Sequence, residues 1–238
     1  MDYPSVSVLT PTYNRINFIE LCILNLKNQT YPLDKLEWFV LDDSEVAYTN
    51  DKIEYIKKSI APIKFKYIYS PIKATIGAKR NKLVKLATHK ICIMMDDDDI
   101  YQKTYIKKSI DTMINNKKNC VGSNQMIFYF KDKPDKRLTI IRCDSKRQIH
   151  EATLCFTKKY FNSMQGFKKN SQGEGVGLID FNDKNVENIP IDDLMVCIVH
   201  KDQTLPKDPF YEYTPHVQPY IKKEILNDHI ELIEKLNI

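Results

Sequence analysis

The sequence predicts an α/β fold, a mixed sheet with helices on both faces, and three observations carry that expectation. Short β-branched or aromatic runs alternate with helix-period segments through the first hundred residues, the pattern of a largely parallel sheet covered by helices. Three of those runs stop in polar clusters, at residues 10–12, 42–44 and 96–99. Ligands of open α/β sheets bind beyond the carboxyl ends of the strands, so the clusters lie where a site belongs. Composition agrees: 238 residues, 42% hydrophobic and 28% charged, suit one globular core, and six glycines with eleven prolines exclude collagen-like and Gly/Ser-linker chains.

The first strand is Ser5–Leu9, ending in the turn residues Thr10-Pro11-Thr12, and a helix follows over 15–28 with Ile16, Ile19, Ile23 and Leu26 on one face. Glu37–Leu41 is aromatic and β-branched and halts at Asp42-Asp43-Ser44. A helix over 52–60, a strand over 65–69, a helix over 76–88 and a strand over 90–95 come next, the last running into four aspartates. Beyond Asp99 the spacing predicts a helix over 102–115 and β-type runs at 120–130, 137–142 and 152–156. A short helix over 173–181, a strand over 195–199 and a terminal helix over 220–236, with Ile221, Ile225, Leu232 and Leu236 on its stripe, complete the reading.

Several classes are excluded. The longest apolar runs, 91–95 and 194–199, fall far short of the roughly 20 residues that span a bilayer, so no transmembrane segment is expected. The opening Met1-Asp2-Tyr3-Pro4 lacks the basic-then-apolar pattern of a secretory signal, and cytoplasmic residence is the expectation. The six cysteines are scattered without a CxxC pair and read as buried thiols. A net charge of +5 favours anionic ligands in general; the lysines form solvated helix faces rather than an aromatic-studded stripe, so no nucleic-acid partner is expected.

The chemistry concentrates in a few places. Asp96-Asp97-Asp98-Asp99 packs four like charges into one turn, a cost that a divalent cation such as Mg²⁺ or Mn²⁺ offsets; helix capping by Asp99 is compatible with that reading. Asp96 and Asp98, offset by two, point to one side if the strand conformation persists. Asp42 and Asp43 are either a solvated turn or acceptors for a base N–H or a ribose hydroxyl. Gly77 and Arg80 place a small residue near a helix start and a guanidinium one turn later, suited to phosphate oxygens. His200, at a strand-to-loop edge, is either structural or a ligand. Glu174 between Gly173 and Gly175 is an accessible carboxylate, a candidate general base. Phe210, Tyr211 and Tyr213 offer stacking faces or, more simply, packing for the last helix.

Val6–Arg15, Val40–Ser44, Gly77–Asn81 and Met95–Asp99, in that order and spacing, resemble the motifs of family 2-type glycosyltransferases of the GT-A fold, a Rossmann-like α/β architecture. The match is specific over the first hundred residues and looser beyond, resting there on Gly173-Glu174-Gly175 and on 200–204. The resemblance implies that Pro11, Thr12 and Tyr13 line a nucleotide pocket, that Asp43 contacts the base with Asp42 beside it, and that Arg80 approaches the base or the diphosphate. Arg15, Gly77 and Asp97, within the same motifs, join the donor-binding set. Asp96 and Asp98 match the DXD motif that holds Mn²⁺ or Mg²⁺ against the diphosphate, with Asp98 favoured as the direct ligand, and His200 matches a histidine that completes the metal site. The family's base is often the aspartate of a Glu-Asp pair; here that position is Gly175, so the role falls to Glu174.

The implied activity is metal-dependent transfer of a sugar from a nucleoside-diphosphate sugar, UDP-linked, to a glycan or protein acceptor, with inversion; retention stays open. The alternative is a catalytically degenerate GT-A fold acting as a nucleotide-sugar or glycan-binding module. The expected organisation is a domain over 1–205, divided into a nucleotide-sugar half (1–100) and an acceptor half (101–205), with a C-terminal extension over 206–238 carrying an amphipathic helix packed on the domain. The abundance of lysine, isoleucine and asparagine suggests an AT-rich genome such as that of a large DNA virus.

Overall fold

The computed structural model describes residues 2–143, 149–179, 184–201, 203–204 and 206–236. Its first half alternates β1 (Val6–Thr12), α1 (Ile19–Lys27), β2 (Leu36–Asp42), α2 (Asn50–Ile60), β3 (Lys64–Tyr69), α3 (Ile76–Leu86) and β4 (Ile91–Met94). The four strands are mutually parallel in the order β4-β1-β2-β3. Every residue of β1 and β2 is buried, as parallel strands covered on both faces require. Alternate side chains feed two apolar layers: Val6 and Val8 pack with Leu21, Ile56 and Ile110 on one face, whereas Leu9 joins Leu83, Val84 and Phe156 on the other. Thr49 and Thr75 cap α2 and α3 by accepting from Lys52 N and Ala78 N, which fixes where each helix leaves the sheet edge.

The second half runs β5 (Asp99–Tyr101), α4 (Tyr105–Asn115), β6 (Cys120–Gly122), β7 (Gln125–Tyr129), β8 (Leu138–Arg142), β9 (Cys155–Thr157), α5 (Lys158–Ser163), β10 (Val186–Asn188), β11 (Met195–Ile198), β12 (Val217–Pro219) and α6 (Ile230–Lys235). It extends the first sheet to seven strands, β10-β6-β9-β4-β1-β2-β3, with β9 antiparallel to both neighbours. A second sheet has the order β12-β8-β7-β11-β5. The expected mixed sheet is therefore two sheets, and the run 120–130 divides between them.

Other differences have local causes. Asp99 does not cap a helix: it opens β5, where Asn25 Nδ2 donates to its carbonyl at 2.8 Å and Asn25 Oδ1 accepts from Tyr101 N at 2.9 Å. The helix after it starts at Tyr105, behind Thr104. The terminal helix expected over 220–236 is a 3-10 turn over Lys223–Leu226 followed by the six-residue α6. Gln102 Nε2 donates to Ile225 O at 3.0 Å, spending a carbonyl that a continuous helix would use, and Ile221 is left 84% exposed. Ile16 is likewise exposed, because 16–18 form a 3-10 turn before α1 begins. The helix expected over 173–181 is a 3-10 turn over Glu174–Gly177; positions 180 and 181 lie outside the described residues. Phe210 stacks on Phe128 with ring centres 4.6 Å apart, the packing alternative.

Candidate active site

The ends of β1, β2 and β4 are tied by side chains. Thr10 Oγ1 donates to Met95 O at 2.6 Å and accepts from Trp38 Nε1 at 2.8 Å, so the polar residues after each strand emerge at one level. Asn14 adopts φ 53°, a conformation asparagine tolerates better than most residues, and fastens the turn after β1 to Ser44 and Glu45.

The strand β4 ends at Met94, so Asp96–Asp99 do not continue it. Their turn is held by Asp96 N donating to Tyr101 Oη at 2.7 Å. Two guanidiniums meet it. Arg80, on α3, grips Asp96 with both terminal nitrogens at 2.8 and 2.9 Å and donates from Nε to Glu174 Oε1 at 3.1 Å. Arg15 reaches Asp97 Oδ1 at 3.1 Å and Asp98 Oδ2 at 2.6 Å. His200 Nε2 lies 3.0 Å from that same Asp98 oxygen, its ring tilted against Phe18. Asp96, Asp97, Asp98, Arg15, Arg80, Glu174 and His200 are therefore one connected cluster.

Its electrostatics separate the acids. Burial raises the Asp97 carboxyl, against the pull of Arg15, to about 6. Burial opposes ionisation of Asp98 as well, but Arg15 and the His200 ring outweigh it and hold Asp98 down at about 2. Burial raises Asp99 strongly, and Asp98 and Asp96 add to the shift. Glu174 is raised by burial, with Arg80 opposing. Asp98 is thus a partly exposed oxygen donor whose ionised form Arg15 and His200 favour.

Asp42 and Asp43 lie elsewhere. Asp42 is fully buried, accepting from Ser44 N at 2.9 Å, from the Ser44 hydroxyl and from Tyr67 Oη at 2.6 Å. Asp43 accepts from Ala74 N at 2.7 Å and from Lys79 Nζ at 2.6 Å. Lys79 also donates to Thr12 O at 2.9 Å, a buried ammonium joining two strand ends. Gly77 is a packing glycine: a Cβ there would sit 1.8 Å from Lys168 O, and its N–H donates to Asn170 O at 2.9 Å. It brings the segment carrying Glu174 against α3.

Two cavities adjoin at the cluster. One, of about 460 Å³, is lined by Pro11, Thr12, Tyr13, Lys73, Lys79 and Asp97. The other, of about 610 Å³, is lined by Asp98, Asn124, His150, Glu151, Glu174 and Phe210. Arg15, Arg80 and Asp96 belong to both walls. Asp42 and Asp43 line neither. The model of glycosyl transferase family 2 matches residues 7–175, the span that supplies every member of this cluster except His200.

The chain belongs to glycosyl transferase family 2. Among its relatives is the putative glycosyltransferase EpsH of Bacillus subtilis (strain 168), 30% identical over 112 residues, which are 47% of this chain and 31% of EpsH. This chain therefore spans less than half the length of that relative. The fold is of the GT-A type. It is similar to a mannosyltransferase from Pyrobaculum calidifontis solved with GDP-Man and Mn²⁺, with a TM-score of 0.64 and 18% identity over 87% of this chain and 59% of the other. It is similar also to S. aureus TarS 1-349 solved with UDP-GlcNAc, with a TM-score of 0.61 and 15% identity over 88% of this chain and 62% of TarS.

Sequence reasoning missed three residues that the fold brings here. Lys79 sits one position before Arg80, on the buried side of α3. Lys73 Nζ lies 3.7 Å from the centre of the Tyr13 ring. Glu151 follows His150 in a 3-10 turn, and its Oε1 accepts from Gly175 N at 3.1 Å. Only the pattern K-R at 79–80 carried a signal; Glu151 stands in a segment without periodicity.

Proposed function

We propose that this family 2 chain transfers a sugar from a nucleoside-diphosphate sugar, UDP-linked, to a hydroxyl of a glycan or protein acceptor. The observation that carries the reading is the pair of adjoining cavities divided by Arg15, Arg80 and Asp96. A diphosphate lying between them meets two guanidiniums suited to its oxygens, with the nucleoside toward Pro11–Tyr13 and the sugar toward Asp98 and Glu151. Lys73 over the Tyr13 ring adds positive charge on the nucleotide side. In this reading Asp42 and Asp43 support the pocket through Tyr67 and Lys79, and Gly77 supports it by packing.

The donor set suits a hard divalent cation. Asp98 and His200 supply an ionised carboxylate and an imidazole at one point. Among the described residues no group of three or more His, Cys, Asp or Glu could hold a metal ion alone. Mg²⁺ and Mn²⁺ sites commonly use one or two carboxylates and complete their shell with substrate phosphates, so Asp98 and His200, with Asp96 beside them, would hold the ion together with the donor. Bound there, the ion would neutralise charge gathering on the departing diphosphate. Arg80 and Arg15 orient the diphosphate. Direct attack by the acceptor oxygen then gives inversion.

Calorimetric titration with UDP in the presence and absence of Mn²⁺ tests this reading. Metal-dependent binding is expected, and Asp98→Ala is expected to abolish the metal dependence; an unchanged titration of that variant contradicts it. His200→Ala should weaken Mn²⁺ affinity while leaving metal-free binding alone.

A further inference from the structure

The expected base position, residue 175, is a glycine, and the neighbouring carboxylate is already engaged: Glu174 is 5% exposed and accepts from Arg80 Nε. The space beside Gly175 is filled by another acid. A Cβ at Gly175 would lie 2.6 Å from Glu151 Cγ and 3.1 Å from Glu151 Oε1, and the Gly175 N–H donates to Glu151 Oε1. Glu151 therefore reaches this spot only because residue 175 lacks a side chain. Its Oε2 has no hydrogen-bond partner among the described residues, and Glu151 lines the larger cavity together with Asp98.

We propose that Glu151 is the general base of the transfer, a carboxylate supplied from the 3-10 turn before β9 in place of one at residue 175. The inference rests on the transferase reading above. Glu151 Oε2 takes the proton of the acceptor hydroxyl. The hydroxyl oxygen forms its bond to the anomeric carbon as the bond from that carbon to the diphosphate oxygen breaks, and the bonding pair leaves on the diphosphate. Glu174 is then a positioning residue that fixes Arg80. The adjacent His150 is not the base: its Nδ1 accepts from Ala152 N at 3.0 Å and burial lowers its pKa, so the neutral ring carries its hydrogen on Nε2 and donates.

Water serves as the acceptor in the test. The probe is the nucleotide sugar that most stabilises the full chain in a panel of UDP- and GDP-sugars with Mn²⁺, and the readouts are donor affinity and release of nucleoside diphosphate. Glu151→Gln retains an oxygen for the Gly175 N–H, so it is expected to bind donor within about twofold of the parent while release falls roughly a hundredfold or more. Glu174→Gln should instead weaken donor affinity, with a smaller effect on release from the bound state. Glu151→Ala clears the space beside residue 175, and adding Gly175→Asp is expected to restore release at least about tenfold over Glu151→Ala alone. Release by Glu151→Gln within about threefold of the parent, or a double variant no better than the single, overturns the assignment while donor binding upholds the transferase reading. A chain that binds no nucleotide sugar of the panel overturns that reading and this assignment with it.

Discussion

Arg80 is the residue on which the site turns. Its guanidinium is 3% exposed, and each of its three nitrogens donates to a carboxylate, two to Asp96 and one to Glu174, which leaves a second N–H on each terminal nitrogen for a ligand. Burial disfavours its charge, but Asp96 and Glu174 restore it and leave the group more basic than usual. Breaking a buried ion pair on one side leaves an uncompensated charge, so Arg80→Ala should cost about 3–5 kcal/mol, measurable by denaturant unfolding, and should abolish nucleotide binding. Arg80→Lys should bind weakly, because an ammonium cannot serve three acceptors in one plane. Gly77→Ala is a purely steric test: its Cβ would meet Lys168 O at 1.8 Å, so a loss of roughly 1–3 kcal/mol or more is expected in thermal unfolding. An unchanged midpoint would contradict the packing assigned to that loop. Residues of this kind were partly legible. Asp96, Asp98, Arg15 and Arg80 stand in ordered motifs at strand ends, and the fold brings them into contact. Asp42 and Asp43 also end a strand, yet Tyr67 and Lys79 occupy their oxygens, partners that arrive from β3 and α3 and leave no local trace.

At the scale of elements, legibility follows strand length. The seven-residue β1 and β2 declare themselves by composition, and the helices between them by period. Strands β5, β6, β9 and β10 have three residues each, too short for alternation to show, so their division between two sheets is a tertiary outcome. The C-terminal segment departs from its sequence pattern for a related reason: its apolar residues suit a helix, but β12 pairs with β8 and a side chain from beside α4 takes the Ile225 carbonyl. One consequence is a pH dependence in this segment. His229, at the start of α6, is 2% exposed, and neither ring nitrogen has a hydrogen-bond partner among the described residues. Burial lowers its pKa from 6.5 to about 4, with Asp228 opposing weakly. The unfolded chain takes up that proton below about 6.5 while the folded chain does not until about 4. The stability this neutral ring preserves is complete above pH 6.5 and is lost as pH falls toward 4, by up to about 3 kcal/mol. His229→Leu should remove that slope in urea titrations between pH 4 and 6.5; a variant with the parent's slope would contradict the assignment.

For the molecule as a whole, the two sheets meet at the aspartate turn. β4 delivers the chain to it from the seven-stranded sheet, and β5 carries it into the five-stranded one, beside β11 and the His200 that follows. The two sheets are therefore joined through this turn, and both adjoining cavities draw residues from each half of the chain. Occupation of the turn by a diphosphate and a cation should brace both sheets together. No helix among the described residues is long and apolar enough to cross a membrane. The decisive measurement is a thermal unfolding series with UDP, GDP and their sugars, each with Mn²⁺, with Mg²⁺ or with chelator. A ligand at about a hundred times its Kd adds ~2.7 kcal/mol to the native state, which for a chain of this size raises the midpoint by about 5–10 °C. The expected result is such a rise for one nucleotide family, present with metal and lost with chelator. No rise with any of them at millimolar concentration, with or without metal, would contradict the nucleotide-sugar site.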